Sequence, residues 1–555
     1  MPQHASSFHL TYSLPFPTRR RLPGFPQSAF QATEQAIPGA QVAISIGAMR
    51  GVVAAGHPMT AQAGANVLRE GGNAVDAAVA AALMSFVSES PLTGPGAGGF
   101  MLLHTASGEN HLLDFFVAAP GRGPTPIEPA ALTPIRVYWN EEAFQVFNIG
   151  ASSCGVYGTP KGLAEALDRF GSVPLSALVE APARAAREGV EVTEVQEYLL
   201  KILAPIMGAE PEGRAIYHPE GRALRAGERV RLPEVADLLE RLGAEGPEFL
   251  YAGDVAATVS DWVLERGGLI TRDDLASYEV LEREPARAHY RGREMITNPP
   301  PSSGGILIAY ALDLLERIER PGDLRALVEV MDRVNRARTA EFVTGLHAEG
   351  YLERFLAKEA LESAASELHS RLGSTTHIAV LDSDGACASV TCSNGSCSGV
   401  IVPGTGLHLN NMLGEEDLNP QGYHRHTPGR RIPSMMAPTV VLRDGMPEVA
   451  LGSAGANRIR SAILQTILNV VDGGMPAQEA VERPRVHFEA GLVEAEPGVD
   501  PTALDSLERD GWKVERWRER NLYFGGVQAV ARDPQTGELS GGGDPRRGGV
   551  AVLVA

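Results

Sequence analysis

From Thr375 onward the apolar residues of this chain alternate with a period of two, whereas residues 160 to 370 are mostly spaced as helices. Thr375 to Leu381 and Ala386 to Ser393 read as strands joined by a hairpin at Asp382-Ser383-Asp384-Gly385. Strand-like runs also stand near the other end, at Gly51 to Pro58, Phe100 to His104 and His111 to Phe115. Strands at both ends of a helix-rich middle imply one interwoven α+β unit, not separable domains. The expected helices are Met59 to Leu68, Ala74 to Phe86 behind an Asn73 cap, Pro160 to Phe170, Pro174 to Glu188 and Leu232 to Leu242. Further on come Ile306 to Ile318, the stretch Gly322 to Leu346, Ile459 to Asp472 and Ala477 to Glu482.

With 555 residues the chain has ample length for a large core. Its apolar fraction of 44% and charged fraction of 21% are ordinary for a soluble globular protein. A formal charge of −19 argues against nucleic acid and anionic membranes as partners. No apolar stretch reaches the roughly 18 residues that span a bilayer. Residues 1–48 carry Pro15, Pro17, Pro23, Pro26 and Arg19-Arg20-Arg21 and lack the apolar core of a signal peptide. They read as a disordered leader, or as a start assigned too early with Met49 nearer the true one, and the expected compartment is the cytoplasm. Cys154, Cys387, Cys392 and Cys397 are too few for a disulfide framework, and their spacing misses that of zinc pairs. Buried free thiols are expected.

Gly94-Pro95-Gly96-Ala97-Gly98-Gly99 matches the spacing of a dinucleotide-binding loop, but a helix precedes it and a strand follows. The motif needs the reverse order. No cofactor is implied, and His424-Arg425-His426 has no companion ligands for a metal.

Gly373-Ser374-Thr375-Thr376-His377-Ile378-Ala379-Val380 carries the chemistry. Taken alone it is a strand with a half-exposed polar face. Read with its surroundings it is a concealed N-terminus. A threonine hydroxyl is a weak nucleophile that needs an adjacent base. An α-amine created by chain cleavage titrates near ~7.7–8.0 and can be that base. One residue would then supply both groups.

Six further pieces stand in order: Gly71-Gly72-Asn73-Ala74-Val75-Asp76-Ala77-Ala78, Gly94 to Phe100, Pro299 to Gly305, Asn410-Asn411, Gly452 to Ile459, and Gly543-Asp544-Pro545-Arg546-Arg547-Gly548. Together with the octapeptide they resemble the gamma-glutamyltransferase family of N-terminal-nucleophile hydrolases, over nearly all of Gly51 to Ala555. The resemblance implies a four-layer αββα sandwich and self-cleavage between Ser374 and Thr375. It also implies a large subunit over 49–374 and a small subunit over 375–555, joined as a heterodimer, acting on a small-molecule amide or peptide. It places Ser393 where the family has a threonine that hydrogen-bonds the nucleophile. Gly455 and Ala456 fall on a Gly-Gly pair whose N–H groups form the oxyanion hole; the Ala is harmless to the donor unless the position needs φ > 0.

The substrate end departs from the family pattern. Phe116, in Asp114-Phe115-Phe116-Val117, stands where an Arg grips the γ-glutamyl carboxylate, and a bidentate Arg–carboxylate pair is a strong contact that Phe cannot replace. Asn394 and Gly395 displace the Asn expected after Ser393, Met412 follows Asn411 in place of Glu or Gln, and Ser434-Met435 replaces a Ser-Ser pair. Asp417 is the expected carboxylate for the substrate amine. The connection from Asp417 to Ser434 looks too short for a lid, which favours hydrolysis over transfer. The resemblance therefore implies an amidohydrolase or acyltransferase cleaving γ-glutamyl amides. One alternative keeps the mechanism and acts on N-acyl amides, including β-lactam side chains, with Phe116 in an apolar pocket. Another is an unprocessed, non-catalytic scaffold.

Overall fold

Thirteen strands form two antiparallel sheets stacked face to face in the computed structural model, which describes residues 50–138, 144–318, 322–357 and 375–555. The leader expected over 1–48, Met49 and Ser374 lie outside the described residues. In chain order the strands are β1 (Gly51–Ala55), β2 (Gly98–His104), β3 (Asn110–Phe115), β4 (Leu281–Arg283), β5 (Ala286–Tyr290) and β6 (Arg293–Thr297). After them come β7 (Thr376–Asp382), β8 (Cys387–Ser393), β9 (Thr439–Arg443), β10 (Met446–Ala454), β11 (Gly526–Arg532), β12 (Leu539–Gly543) and β13 (Val550–Val554). The first sheet runs β13-β1-β7-β8-β2-β3-β4 and the second β12-β11-β10-β9-β6-β5.

Helices cover the outer faces. α1 (Pro58–Arg69) and α2 (Ala74–Ser88) lie on the first sheet, with α3 (Thr159–Phe170) beside them. α4 (Gly304–Glu316), α6 (Arg458–Val471) and α7 (Ala477–Glu482) cover the second sheet, and α5 (Leu324–Arg336) packs on α4. The result is the four-layer αββα arrangement, and Ser45–Ala555 form one unit. Within α2 every residue is buried, as its near-continuous apolar sequence requires. The Asn73 side chain accepts from Val75 and Asp76 N–H, and Asp76 returns the bond to Asn73 N–H. Such a cap contributes about 1 kcal/mol. Asp76 also accepts from Ser172 and Val173, which fastens α2 to the turn after α3.

The period of two in β7 sorts its side chains between layers. Ile378 and Val380 join the core under α2, and Ala379 and Leu381 join the core between the sheets and beyond. Each fully buried Val, Leu or Ile contributes about 1.5–3 kcal/mol relative to exposure. That fixes the register, because a slip of one residue would exchange the two faces. All four cysteines are buried and unpaired.

The structure corrects three expectations. The helical middle contains β4, β5 and β6, which provide an edge strand to the first sheet and two strands to the second. They are short and carry charges such as Arg287, Arg293 and Glu294; β4 and β5 are edge strands, which need not look apolar, while β6 lies between β5 and β9 and is only five residues long. The stretch expected from Pro174 to Glu188 turns at Val179, separating helices Leu175–Leu178 and Glu180–Glu188. The stretch from Gly322 to Leu346 breaks after α5, because Thr339 caps a new helix, Ala340–Gly345, by accepting from Phe342 N–H.

Candidate active site

Thr375 stands one residue ahead of β7, at the end of the central pair β7–β8. Its Oγ1 donates to Ser393 Oγ at 3.2 Å, and both residues are buried. Ser393 Oγ also accepts from Gly395 N–H at 2.9 Å, so the chain turning away after β8 orients that hydroxyl. The pairing register runs Thr376–Cys392–Gly99–Phe115 across β7, β8, β2 and β3. One step along, Thr375, Ser393, Gly98 and Phe116 therefore share a row on the face turned toward the second sheet. At about 4.8 Å per strand, Phe116 begins roughly 14 Å from Thr375 with only a glycine beyond Ser393 between them. Phe116 is buried and stacks on Phe100 with ring centroids 5.3 Å apart.

The other face of β7 carries a carboxylate that sequence reasoning missed. Glu89, just past α2, accepts from Thr376 Oγ1 at 2.5 Å and Thr60 Oγ1 at 2.8 Å. Burial pushes its pKa up, against the two hydroxyl bonds and nearby Arg547. Nothing in Ser88-Glu89-Ser90-Pro91 marks this residue; only the packing of α2 on β7 brings it there.

Between the sheets, His377 Nδ1 lies 2.8 Å from Thr391 Oγ1. Desolvation lowers its pKa to about 3, so the ring is neutral. Ser389 Oγ donates across the gap to Leu451 C=O at 3.0 Å. Gly452 faces the imidazole so closely that a Cβ would sit 2.4 Å from the ring. Passing from Ser389–Leu451 to His377–Gly452 moves toward Thr375 on β7 and toward Gly455 on β10. The two strands thus bring Thr375 and the Gly455 turn to the same end of the sandwich.

At that turn Gly455 has φ 119° and Ala456 φ 49°. The Gly455 and Ala456 carbonyls accept from Arg458 and Ile459, which starts α6, while their own N–H groups donate to no other described residue. Ala456 is held in the left-handed region, the one case in which its Cβ costs energy.

The expected substrate residues are spread over several elements. Asn394 is fully buried, its N–H on Leu92 C=O at 3.0 Å and its amide on His408 C=O at 3.4 Å. Ser434 closes a tight turn: its hydroxyl accepts from Met436 N–H and its carbonyl accepts from Ser303 N–H and the Ser302 hydroxyl. Met435 is buried with Met412, Leu413, Ile432 and Phe116 in one apolar cluster. Arg431, the nearby cation, is committed to Asp114 (Nε–Oδ1 3.0 Å), with its guanidinium over Tyr278. Asp417 lies in the short helix Glu416–Leu418, where its charge acts on Arg458 and Arg460. Glu415, passed over in the acidic run, turns inward and accepts from Ser396 N–H at 2.9 Å. Burial and Asp417 raise its pKa to about 8.

The connection after Asp417 is stapled down. Asn148 donates to Tyr423 OH, His424 Nε2 to Ser152 C=O at 2.8 Å, and His426 Nε2 to Leu418 C=O at 3.1 Å. The two imidazoles thus serve as hydrogen-bonding props.

Residues 60–554 match the family described as Gamma-glutamyltranspeptidase. The chain belongs to the gamma-glutamyltranspeptidase family. Its αββα layers are those of N-terminal-nucleophile hydrolases, and it is an enzyme of the family's hydrolase and acyltransferase class. It is similar to the Acylase ACY 1 proenzyme of Pseudomonas sp. (strain V22), 33% identical over 528 residues, which cover 91% of this chain and 94% of that protein. The Glutathione hydrolase proenzyme of Escherichia coli (strain K12) is 29% identical over 538 residues, covering 90% and 91%. Among solved structures it resembles the cephalosporin acylase from Bacillus halodurans, with a TM-score of 0.73 and 28% identity over 93% of this chain and 98% of that one.

Proposed function

We propose that this gamma-glutamyltranspeptidase-family chain is a proenzyme that cuts itself between Ser374 and Thr375 and then hydrolyses N-acyl amides. The observation that carries the reading is the Thr375–Ser393 hydrogen bond at the end of the central strand pair. Thr375 Oγ1 attacks the acyl carbon, and the freed α-amine takes its proton and passes it to the departing amine. The Gly455 and Ala456 N–H groups hold the oxyanion; a donor of this kind is worth about 2.7–4 kcal/mol. Water then attacks the ester and releases the acid. The proposed subunits, 49–374 and 375–555, would stay together because both sheets interleave them: β1–β4 lie beside β7, β8 and β13, and β5–β6 beside β9–β12.

Phe116 and Met435 favour an acyl group without the charged γ-glutamyl head. Both are buried in an apolar cluster, and Arg431 is tied to Asp114. Similarity to proteins named as acylases supports this reading, including β-lactam side chains as substrates. The short, stapled connection after Asp417 favours hydrolysis over transfer. Glu415 beside Ser396 supports a second reading, in which a carboxylate receives the amine of a γ-glutamyl substrate. Intact mass after expression, followed by kcat/KM for γ-glutamyl and simple N-acyl anilides, tests both. Preference for the N-acyl anilide is expected. A strong preference for the γ-glutamyl anilide would transfer the assignment to the second reading, and an uncut, inactive chain would sink both.

A further inference from the structure

The Ser393 hydroxyl takes its direction from the turn over residues 393–396, where Gly395 N–H donates to it at 2.9 Å. Two residues of a later segment, Asn411 and Glu415, grip that turn. Ser396 N–H points at two oxygens at once, Asn411 Oδ1 at 2.8 Å and Glu415 Oε1 at 2.9 Å. A backbone N–H can only donate, so the Asn411 atom facing it is the amide oxygen. Asn411 Nδ2 donates in turn to Ser396 Oγ at 2.6 Å, and Asn411 N–H to Asn394 C=O at 3.1 Å. The two oxygens occupy the space that a side chain at Gly395 would need: a Cβ there would stand 2.1 Å from Asn411 Oδ1 and 2.6 Å from Glu415 Oε1. Ser396 and Asn411 are fully buried, and Glu415 is half-buried.

Two oxygens held against one N–H repel each other unless a proton lies between them. An amide oxygen carries no proton, whereas a neutral carboxyl has one O–H to donate. Burial and the charge of Asp417 raise the Glu415 pKa to about 8, so at neutral pH that proton is in place. The Cys397 thiol also feels Glu415; burial pushes it up to about 12, and it stays neutral below that. No cation acts on Glu415 among the described residues. We propose that Glu415 is a positioning residue for the Thr375–Ser393 pair: its carboxyl proton holds the 393–396 turn closed on Asn411, and ionisation loosens the turn and with it the Ser393 hydroxyl. This role rests on the reading of Thr375 as the nucleophile. It is separate from any contact between Glu415 and a substrate amine.

Self-cleavage of the full-length precursor tests it, because the cut needs no substrate and the Thr375 α-amine does not yet exist to titrate beside Glu415. Precursor made by cell-free translation is followed on gels between about pH 6 and pH 9, as wild type and as Glu415→Gln. The ratio of the two rates cancels the pH dependence of the attack itself. That ratio should be level below about pH 7 and fall about tenfold by about pH 9, one unit above the Glu415 pKa of about 8. Asp417→Asn removes a charge that helps to hold the proton on, so in that variant cleavage should begin to fall at lower pH. A structural prop without a titrating proton would show neither change. A wild-type precursor that cuts itself with a level ratio, or a fall that Asp417→Asn leaves in place, would overturn this role of Glu415 alone. A wild-type precursor that never cuts would overturn the Thr375 reading and this role with it.

Discussion

Replacing Ser393 with alanine separates two roles that its hydroxyl combines. Oγ accepts from Thr375 at 3.2 Å and from Gly395 N–H at 2.9 Å. The first bond is at the long end for two hydroxyls, and an ordinary hydrogen bond is worth about 0.5–1.5 kcal/mol. Losing it should slow self-cleavage and turnover by about two- to tenfold. The second loss leaves Gly395 N–H buried without that acceptor, at about 1–3 kcal/mol in stability. Ser393→Thr keeps the oxygen, and Gly98, next in the row, offers no side chain to obstruct the added methyl. The threonine variant should therefore process and turn over close to wild type. A gel time course of the 58.9 kDa precursor, kcat on an N-acyl anilide and a melting curve measure the three quantities. A Ser393→Ala protein that melts earlier but cuts itself and turns over at wild-type rates would reduce Ser393 to a structural acceptor for Gly395.

Thr375→Ala should remain a single 58.9 kDa chain, seen by intact mass; if it still yields a fragment beginning at residue 375, the threonine is not the attacking group. Phe116→Arg should raise the kcat/KM ratio for a γ-glutamyl anilide over its decarboxylated analogue by about ten- to a hundredfold, a ratio in which any loss of folded enzyme cancels. An unchanged ratio would place the carboxylate elsewhere. Ala456→Gly relieves the left-handed φ of 49° and should raise stability by up to about 1 kcal/mol in urea with turnover unaltered, since the N–H stays; a clear loss of turnover would count against a purely backbone role. Glu415, raised to about 8, binds its proton more tightly folded than unfolded. Its contribution to stability is complete below the ordinary glutamate pKa and is lost as pH rises through about 8. Glu415→Gln in the uncut Thr375→Ala precursor should therefore flatten the fall in melting temperature between pH 5 and 8; an identical slope would refute the shift.

Which parts were legible follows from the range of the interactions. α2 could be read from its Asn73 cap and near-continuous apolar run, and the β7–β8 hairpin from its alternation and its Asp-Gly turn, because those determinants lie within a few residues. β4, β5 and β6 could not, since their place depends on sheets completed by residues more than a hundred positions away. The break after α5 was written locally, in Thr339, but weighed less than the surrounding helical period.

For the site, the sequence by itself proposed Thr375 as the nucleophile, because a threonine there can supply both hydroxyl and base only as a new N-terminus, and that is covalent chemistry. It also determined that Phe116 cannot bind an anion. Only the tertiary structure decided that Thr375, Ser393, Gly98 and Phe116 form one row, which requires the register of four strands drawn from distant segments. The same holds for Glu89 under Thr376 and for the inward turn of Glu415 in place of its acidic neighbours. An acidic run reads alike at every position; the whole fold decides that Glu415 meets the Ser396 N–H and that burial raises its pKa.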